Sequence, residues 1–169
     1  MSPADDYTQR LLTHLRLTDL TCQAAKEEAL RPVGIPVAHY SVLLVLSAVP
    51  GATGAEIARR CGVTPQTVAA LLTRLEGNGL VARRPHAVHR SLIECSLTDL
   101  GWATFDQADQ AIRRVEERLS EALSTDEVAG LTEILSRLRA ALDARDPSDA
   151  TDPAPAAGAP SPRRRKDGT

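Results

Sequence analysis

The middle of the chain constrains the fold most: Thr64 to Val81 reads TPQTVAALLTRLEGNGLV. Thr64 suits an N-cap and Pro65 the first helical position, where a missing N–H costs no hydrogen bond. Val68, Leu71, Leu72 and Leu75 follow at helical spacing, facing a core. Gly77 and Gly79 end the helix, with Asn78 between them able to tolerate a left-handed conformation. A shorter helix precedes it: Thr53 and Glu56 have capping-box spacing, Ile57-Ala58 begins its buried side and Gly62 is its stop. Leu80-Val81 and Leu92 to Leu97 then predict two short strands, with Arg83 to Ser91 as the polar, histidine-bearing hairpin loop between them.

Long apolar-striped helices flank this centre. Asp5 to Leu30 predicts one helix, whose stripe is Leu11, Leu15, Thr18, Cys22, Ala25 and Ala29, closed by Pro32, Gly34 and Pro36. A second helix begins near Pro36 and passes Tyr40, Leu43, Leu44 and Leu46 to about Val49, before a Pro50-Gly51 turn. After the hairpin, a helix from about Thr98 turns Phe105, Ile112, Val115, Leu119 and Leu123 inward. Ser124 and Glu127 open a last helix carrying Val128, Leu131, Leu135, Leu138 and Leu142. Beyond Asp146 the chain is rich in Pro and Ala without hydrophobic pattern, which predicts a disordered tail over 147–169.

Helix, helix, turn, helix and two-stranded hairpin is the order of a winged helix-turn-helix. The fold is thus expected to be mostly α with a small β-hairpin wing, and its long flanking helices to serve dimerisation. In such a unit one short helix braces the next, whose exposed N-terminal residues meet base edges in the major groove, while the hairpin reaches the backbone or the minor groove. Charge supports this. The net charge is -2, yet residues 51–95 carry six basic and three acidic side chains and 96–145 carry six and ten. Only the middle has the balance that a polyanion attracts. Aromatic residues make up 2% of the chain, so the core is aliphatic.

Other classes are excluded by what the sequence lacks. Cys22, Cys61 and Cys95 are too few and too scattered for a disulfide scaffold or a Cys-rich metal site. His14, His39, His86 and His89 form no metal-ligand motif, so neither metal nor other cofactor is expected. There is no Gly-rich phosphate loop, nucleophile elbow or paired-carboxylate arrangement, and an enzyme is not expected. The acidic N-terminus is unlike a signal peptide, and the apolar run at Val42 to Val49 is too short to span a membrane. A cytoplasmic protein is expected.

The stretch AEIARRCGVTPQTVAALLTRLEGNGLVARR, followed after the wing loop by SLTDLG, resembles the MarR family of transcriptional regulators. The resemblance covers essentially residues 5 to 145. It implies a single domain over 5–146, with dimerisation helices at 5–31 and 104–146 and a DNA-binding region at 36–100. It further implies a homodimer that holds a palindromic operator with its fourth helix and wing, usually as a repressor, and is released by a phenolic, lipophilic or oxidising signal. At the wing the chain departs from the family. Members commonly carry Asp-Arg-Arg or Asp-x-Arg where this chain has His89-Arg90-Ser91. Arg90 keeps the minor-groove arginine, His89 replaces an acid that pins a neighbouring arginine, and the wing is expected to bind more weakly or to be held differently.

Gln66 and Thr67, in the first turn of the fourth helix, are the expected base readers. Thr64 is both cap and possible phosphate contact, and Thr73 and Arg74 lie further along, Arg74 towards phosphate. Arg83, Arg84, His86, His89 and Arg90 are expected to hold DNA from the wing. Of Arg59 and Arg60, one is expected at phosphate and the other in a surface ion pair. An apolar or aromatic effector is expected between the dimer helices and the winged unit, near His14, Thr18, Tyr40 and Leu44. Cys22 raises the alternative of an oxidation sensor, but on an apolar stripe it reads as a small hydrophobe. The other alternative is a dimeric winged-helix scaffold without specific DNA binding.

Overall fold

The computed structural model of the protein describes residues 9–86 and 91–143. Its first unit runs to Leu123. Helix α1 is Leu11–Leu30, a 3-10 turn follows at Arg31–Val33, and α2 is Val37–Ala48. The helix expected from Asp5 is interrupted at Arg10, whose backbone is extended and serves as N-cap, so α1 begins where the apolar periodicity begins. Gly34 closes the 3-10 turn at φ 76°, a left-handed conformation that glycine adopts without a Cβ penalty.

Strand β1 (Ala52–Thr53), α3 (Gly54–Cys61), α4 (Pro65–Gly77), β2 (Val81–Pro85) and β3 (Ile93–Leu97) form the winged unit, and α5 (Asp99–Ala122) leaves it. The sheet order is β1-β3-β2, all antiparallel, with Ala52 opposite Cys95 and Arg83 opposite Cys95 on the other edge. Two sequence expectations are corrected here. A third strand exists, because Ala52–Thr53 is too short for any alternation to show but finds β3 as a partner. Arg83 and Arg84 belong to β2 and not to the hairpin loop, since their backbones pair with Cys95 and Glu94. At the end of α4, Gly79 takes the positive φ of 71° and Asn78 stays at φ -86°.

The core is aliphatic. Val42, Leu43 and Leu46 of α2 pack with Ile57 of α3, Val68, Leu72 and Leu75 of α4, and Val81 and Cys95 of the sheet. The rim of this core is aromatic: Tyr40 stacks on Phe105 with ring centroids 6.3 Å apart, and Trp102 meets Phe105 edge-on. The Tyr40 hydroxyl donates to Asp109 (3.0 Å), which also accepts from Arg113. Burial, and then this bond, push the phenol up, so it remains a donor. Phe105 and Ile112 are buried as their periodicity predicts, but Leu119, on the exposed continuation of α5, and Leu123, just past its end, are not.

The start of α5 is built on a close approach. Thr98 caps it by accepting from the Gly101 N–H, and the Thr98 hydroxyl donates to the Gly79 carbonyl at 2.6 Å. A Cβ on Gly101 would lie 2.0 Å from the Leu80 carbonyl oxygen.

The second unit begins at Ser124, and its described part is α6 (Thr125–Asp143). Ser124 and Glu127 form a reciprocal capping box: the Ser124 hydroxyl accepts from the Glu127 N–H, and the Glu127 carboxylate accepts from the Ser124 N–H at 2.8 Å. That bond lowers the Glu127 carboxyl below its ordinary range. The box expected at Thr53 and Glu56 forms by half. Thr53 caps the Glu56 N–H, but the Glu56 carboxylate turns to Arg60. Residues 125–142 of α6 are exposed or half-buried.

Candidate nucleic-acid interface

Helix α4 divides its residues cleanly. Val68, Leu72 and Leu75 enter the core, while Gln66, Thr67, Thr73 and Arg74 are exposed. Its N-terminus is fixed by Thr64, whose hydroxyl accepts from the Thr67 N–H at 3.2 Å and lies 2.9 Å from the Thr67 hydroxyl. Gln66 stands in this first turn without a side-chain hydrogen bond among the described residues. Thr73 returns its hydroxyl to the Ala69 carbonyl. The unbonded amide at the helix start is therefore the group best placed to meet a base edge, where the N-terminal partial positive charge also favours phosphate.

Behind the helix, His39 of α2 is buried. Burial, with the positive charge of Arg74 adding to it, holds the imidazole below its ordinary range. Arg59 and Arg60 of α3 both pair with Glu56, Arg60 at 3.0 Å and Arg59 at 3.8 Å, and Arg59 keeps its side chain 75% exposed.

Two of the wing side chains, Arg83 and His86, are paired with acids. Arg83 directs Nε, at 2.8 Å, and Nη2 onto one oxygen of Glu76, the penultimate residue of α4. His86 lies 3.4 Å from the Glu94 carboxylate on the neighbouring strand, and its N–H donates to the Leu92 carbonyl. Arg84 is exposed on the sheet face opposite that of Arg83, the strand alternating as strands do. The only signals for these acids were Glu76 in the last turn of a helix and Glu94 in an otherwise apolar strand. His89 and Arg90 lie outside the described residues.

The four expected effector residues lie on α1 and α2. His14 and Thr18 are exposed on α1, Leu44 is exposed on α2, and Tyr40 is committed inward to Asp109. The cavities between α1 and α5 are lined by other residues. One, of about 300 Å³, has Cys22, Ala25, Ile112, Val115 and Leu119 as its apolar wall, with Lys26 and Arg118 beside them. Burial pushes the Cys61 and Cys95 thiols up, away from the thiolate. Cys22 is half-buried.

A MarR family model matches residues 33–90. The HTH-type transcriptional repressor Rv2887 of Mycobacterium tuberculosis is 31% identical over 110 residues, which are 65% of this chain and 79% of the repressor. Among solved structures, the transcriptional repressor CouR bound to a 23-mer DNA duplex is 31% identical, with a TM-score of 0.74 over 82% of this chain and 99% of that one. CouR bound to p-coumaroyl-CoA is 32% identical, with a TM-score of 0.69 over 79% of this chain and 94% of that one.

Proposed function

The chain belongs to the MarR family, and on that premise we propose that it is a sequence-specific, double-stranded-DNA-binding transcriptional repressor. It holds a palindromic operator as a homodimer. The observation that carries this reading is the first turn of α4, where a capped helix end presents Gln66 and Thr67 on a winged frame that matches DNA-bound CouR. Thr64, Thr73, Arg74, Arg83, Arg84, His86, His89 and Arg90 complete the DNA-contacting set. The protein acts by binding and not by catalysis, and it acts in the cytoplasm. No single described helix is long and apolar enough to cross a membrane.

Release is by a small apolar or aromatic ligand. Two features support this: CouR is seen with p-coumaroyl-CoA, and this chain has a largely apolar cavity between α1 and α5. Such a ligand shifts a dimer between two spacings of its recognition helices by binding one of them better. His14, Thr18, Tyr40 and Leu44 remain the proposed contacts, between the dimer helices and the winged unit.

Gel-shift titration with the DNA flanking its own gene, competed by unrelated duplex, tests the function. Retardation that survives unrelated competitor is expected. A stable dimer that retards neither duplex would establish the scaffold reading instead.

A further inference from the structure

We propose that Glu76 is a positioning residue for DNA recognition: it clamps Arg83, and with it the wing strand β2, to the C-terminal turn of the recognition helix α4. The proposal rests on the DNA-binding reading above. Glu76 is out of place on two electrostatic grounds. A carboxylate in the last turn of a helix opposes the helix dipole, and a carboxylate beside a DNA-contacting surface repels phosphate. Among the described residues its side chain gains Arg83, whose Nε and Nη2 both converge on Glu76 Oε2. Both side chains are about one-third exposed (33% for Arg83, 40% for Glu76), so water screens the pair only in part.

The clamp adds a side-chain tie across a junction that the backbone already bonds, where the Asn78, Gly79 and Leu80 N–H groups donate to the Arg74, Glu76 and Leu75 carbonyls. Between α4 and β2 the chain passes through Asn78 and Gly79, the latter at φ 71°. Arg83 sits opposite buried Cys95, on the sheet face turned towards the core, where its guanidinium reaches α4. Arg84, its neighbour, is on the other face and exposed. The two arginines thus divide the work: Arg83 is held by Glu76 and sets the angle of the wing, and Arg84 is left to the DNA. The Nη1 of Arg83 makes no hydrogen bond among the described residues and stays available to a phosphate from this fixed position.

The sign of one substitution tests this. Full-length wild type first selects a preferred duplex from a random-sequence library, and Glu76→Gln, Arg83→Lys and the double variant are then titrated with it. Loss of a negative charge near DNA tightens binding if Glu76 only repels phosphate. The clamp predicts the reverse, a weakening of about two- to fivefold for Glu76→Gln, the scale of a partly exposed ion pair. Arg83→Lys, which keeps the charge but loses the fork, gives a similar loss. The double variant is no weaker than either single one, because the same clamp is broken once. Melting temperatures of the free variants report folding separately. Tighter or unchanged binding by Glu76→Gln, or additive losses in the double variant, overturns the clamp while DNA binding stands. Failure of wild type to select any duplex overturns the DNA-binding reading, and the clamp with it.

Discussion

At the scale of single residues, Gln66 and His39 show how the same helix pair serves reading and folding. Gln66 is exposed and unbonded among the described residues, so its amide is spent on nothing inside the protein. Gln66→Ala is expected to cost about 1–3 kcal/mol against the preferred operator and much less against scrambled DNA, because a base-edge contact is lost and phosphate contacts are not. Equal losses on both duplexes, measured by fluorescence anisotropy, would remove Gln66 as a reader. His39 has the opposite role. Its folded-state pKa is depressed, chiefly by burial, so the unfolded chain binds a proton more readily than the native one. Stability from this group is complete above the ordinary histidine value of about 6.5 and is lost as pH falls through it towards the lower native value. His39→Gln should flatten the denaturant midpoint of the free protein between about pH 7 and pH 5, where wild type declines. A variant that keeps the wild-type slope would assign the decline to other groups.

At the scale of elements, junctions matter more than spans. Helix α5 starts where it does because Thr98 both caps it and reaches the Gly79 carbonyl, and because Gly101 lets its first turn lie against Leu80. The obstacle to a side chain at Gly101 is backbone, which cannot rotate away. Gly101→Ala is therefore expected to destabilise the protein by about 1–3 kcal/mol or more, despite the better helix propensity of alanine. Chemical denaturation checks this, and a neutral or stabilising result would show that α5 can shift without cost. The Tyr40 bond to Asp109 ties α2 to the same helix, so the winged unit and α5 are joined at an aromatic and hydrogen-bonded seam as well as through the chain.

At the scale of the whole molecule, many of the apolar residues that find no cover lie on the first helix and the last two. Leu11, Leu12, Leu17 and Leu20 of α1, Leu119 and Leu123 of α5, and Leu131, Ile134, Leu135 and Leu142 of α6 are all exposed within one chain. Aliphatic surface of this extent on the helices of each unit marks interaction surface. The expected outcome is a homodimer at micromolar concentration, covering residues of about 7–30 and 112–145, and light scattering should return twice the 18.1 kDa chain mass. A mass of one chain over a broad concentration range would refute it. The expectation for 147–169, an unstructured tail, lies outside the described residues.

What the sequence determined by itself was local and periodic. Thr64 with Pro65, Gly62, Thr98 and the Ser124–Glu127 box set their helix ends through bonds spanning three or four residues, and the apolar positions of α4 buried themselves as spaced. Such signals are legible because partner and signal lie in the same short segment. The tertiary structure decided what depends on distant partners. Ala52–Thr53 became a strand only because β3 lies beside it, and Arg83 moved from loop to strand for the same reason. The Tyr40 hydroxyl donates to Asp109, 69 residues away along the chain, and Arg83 donates to Glu76, and no local pattern announced either pair. Long side chains with charged or hydroxyl ends go to whichever partner the fold brings within reach, and no spacing along the chain encodes that choice.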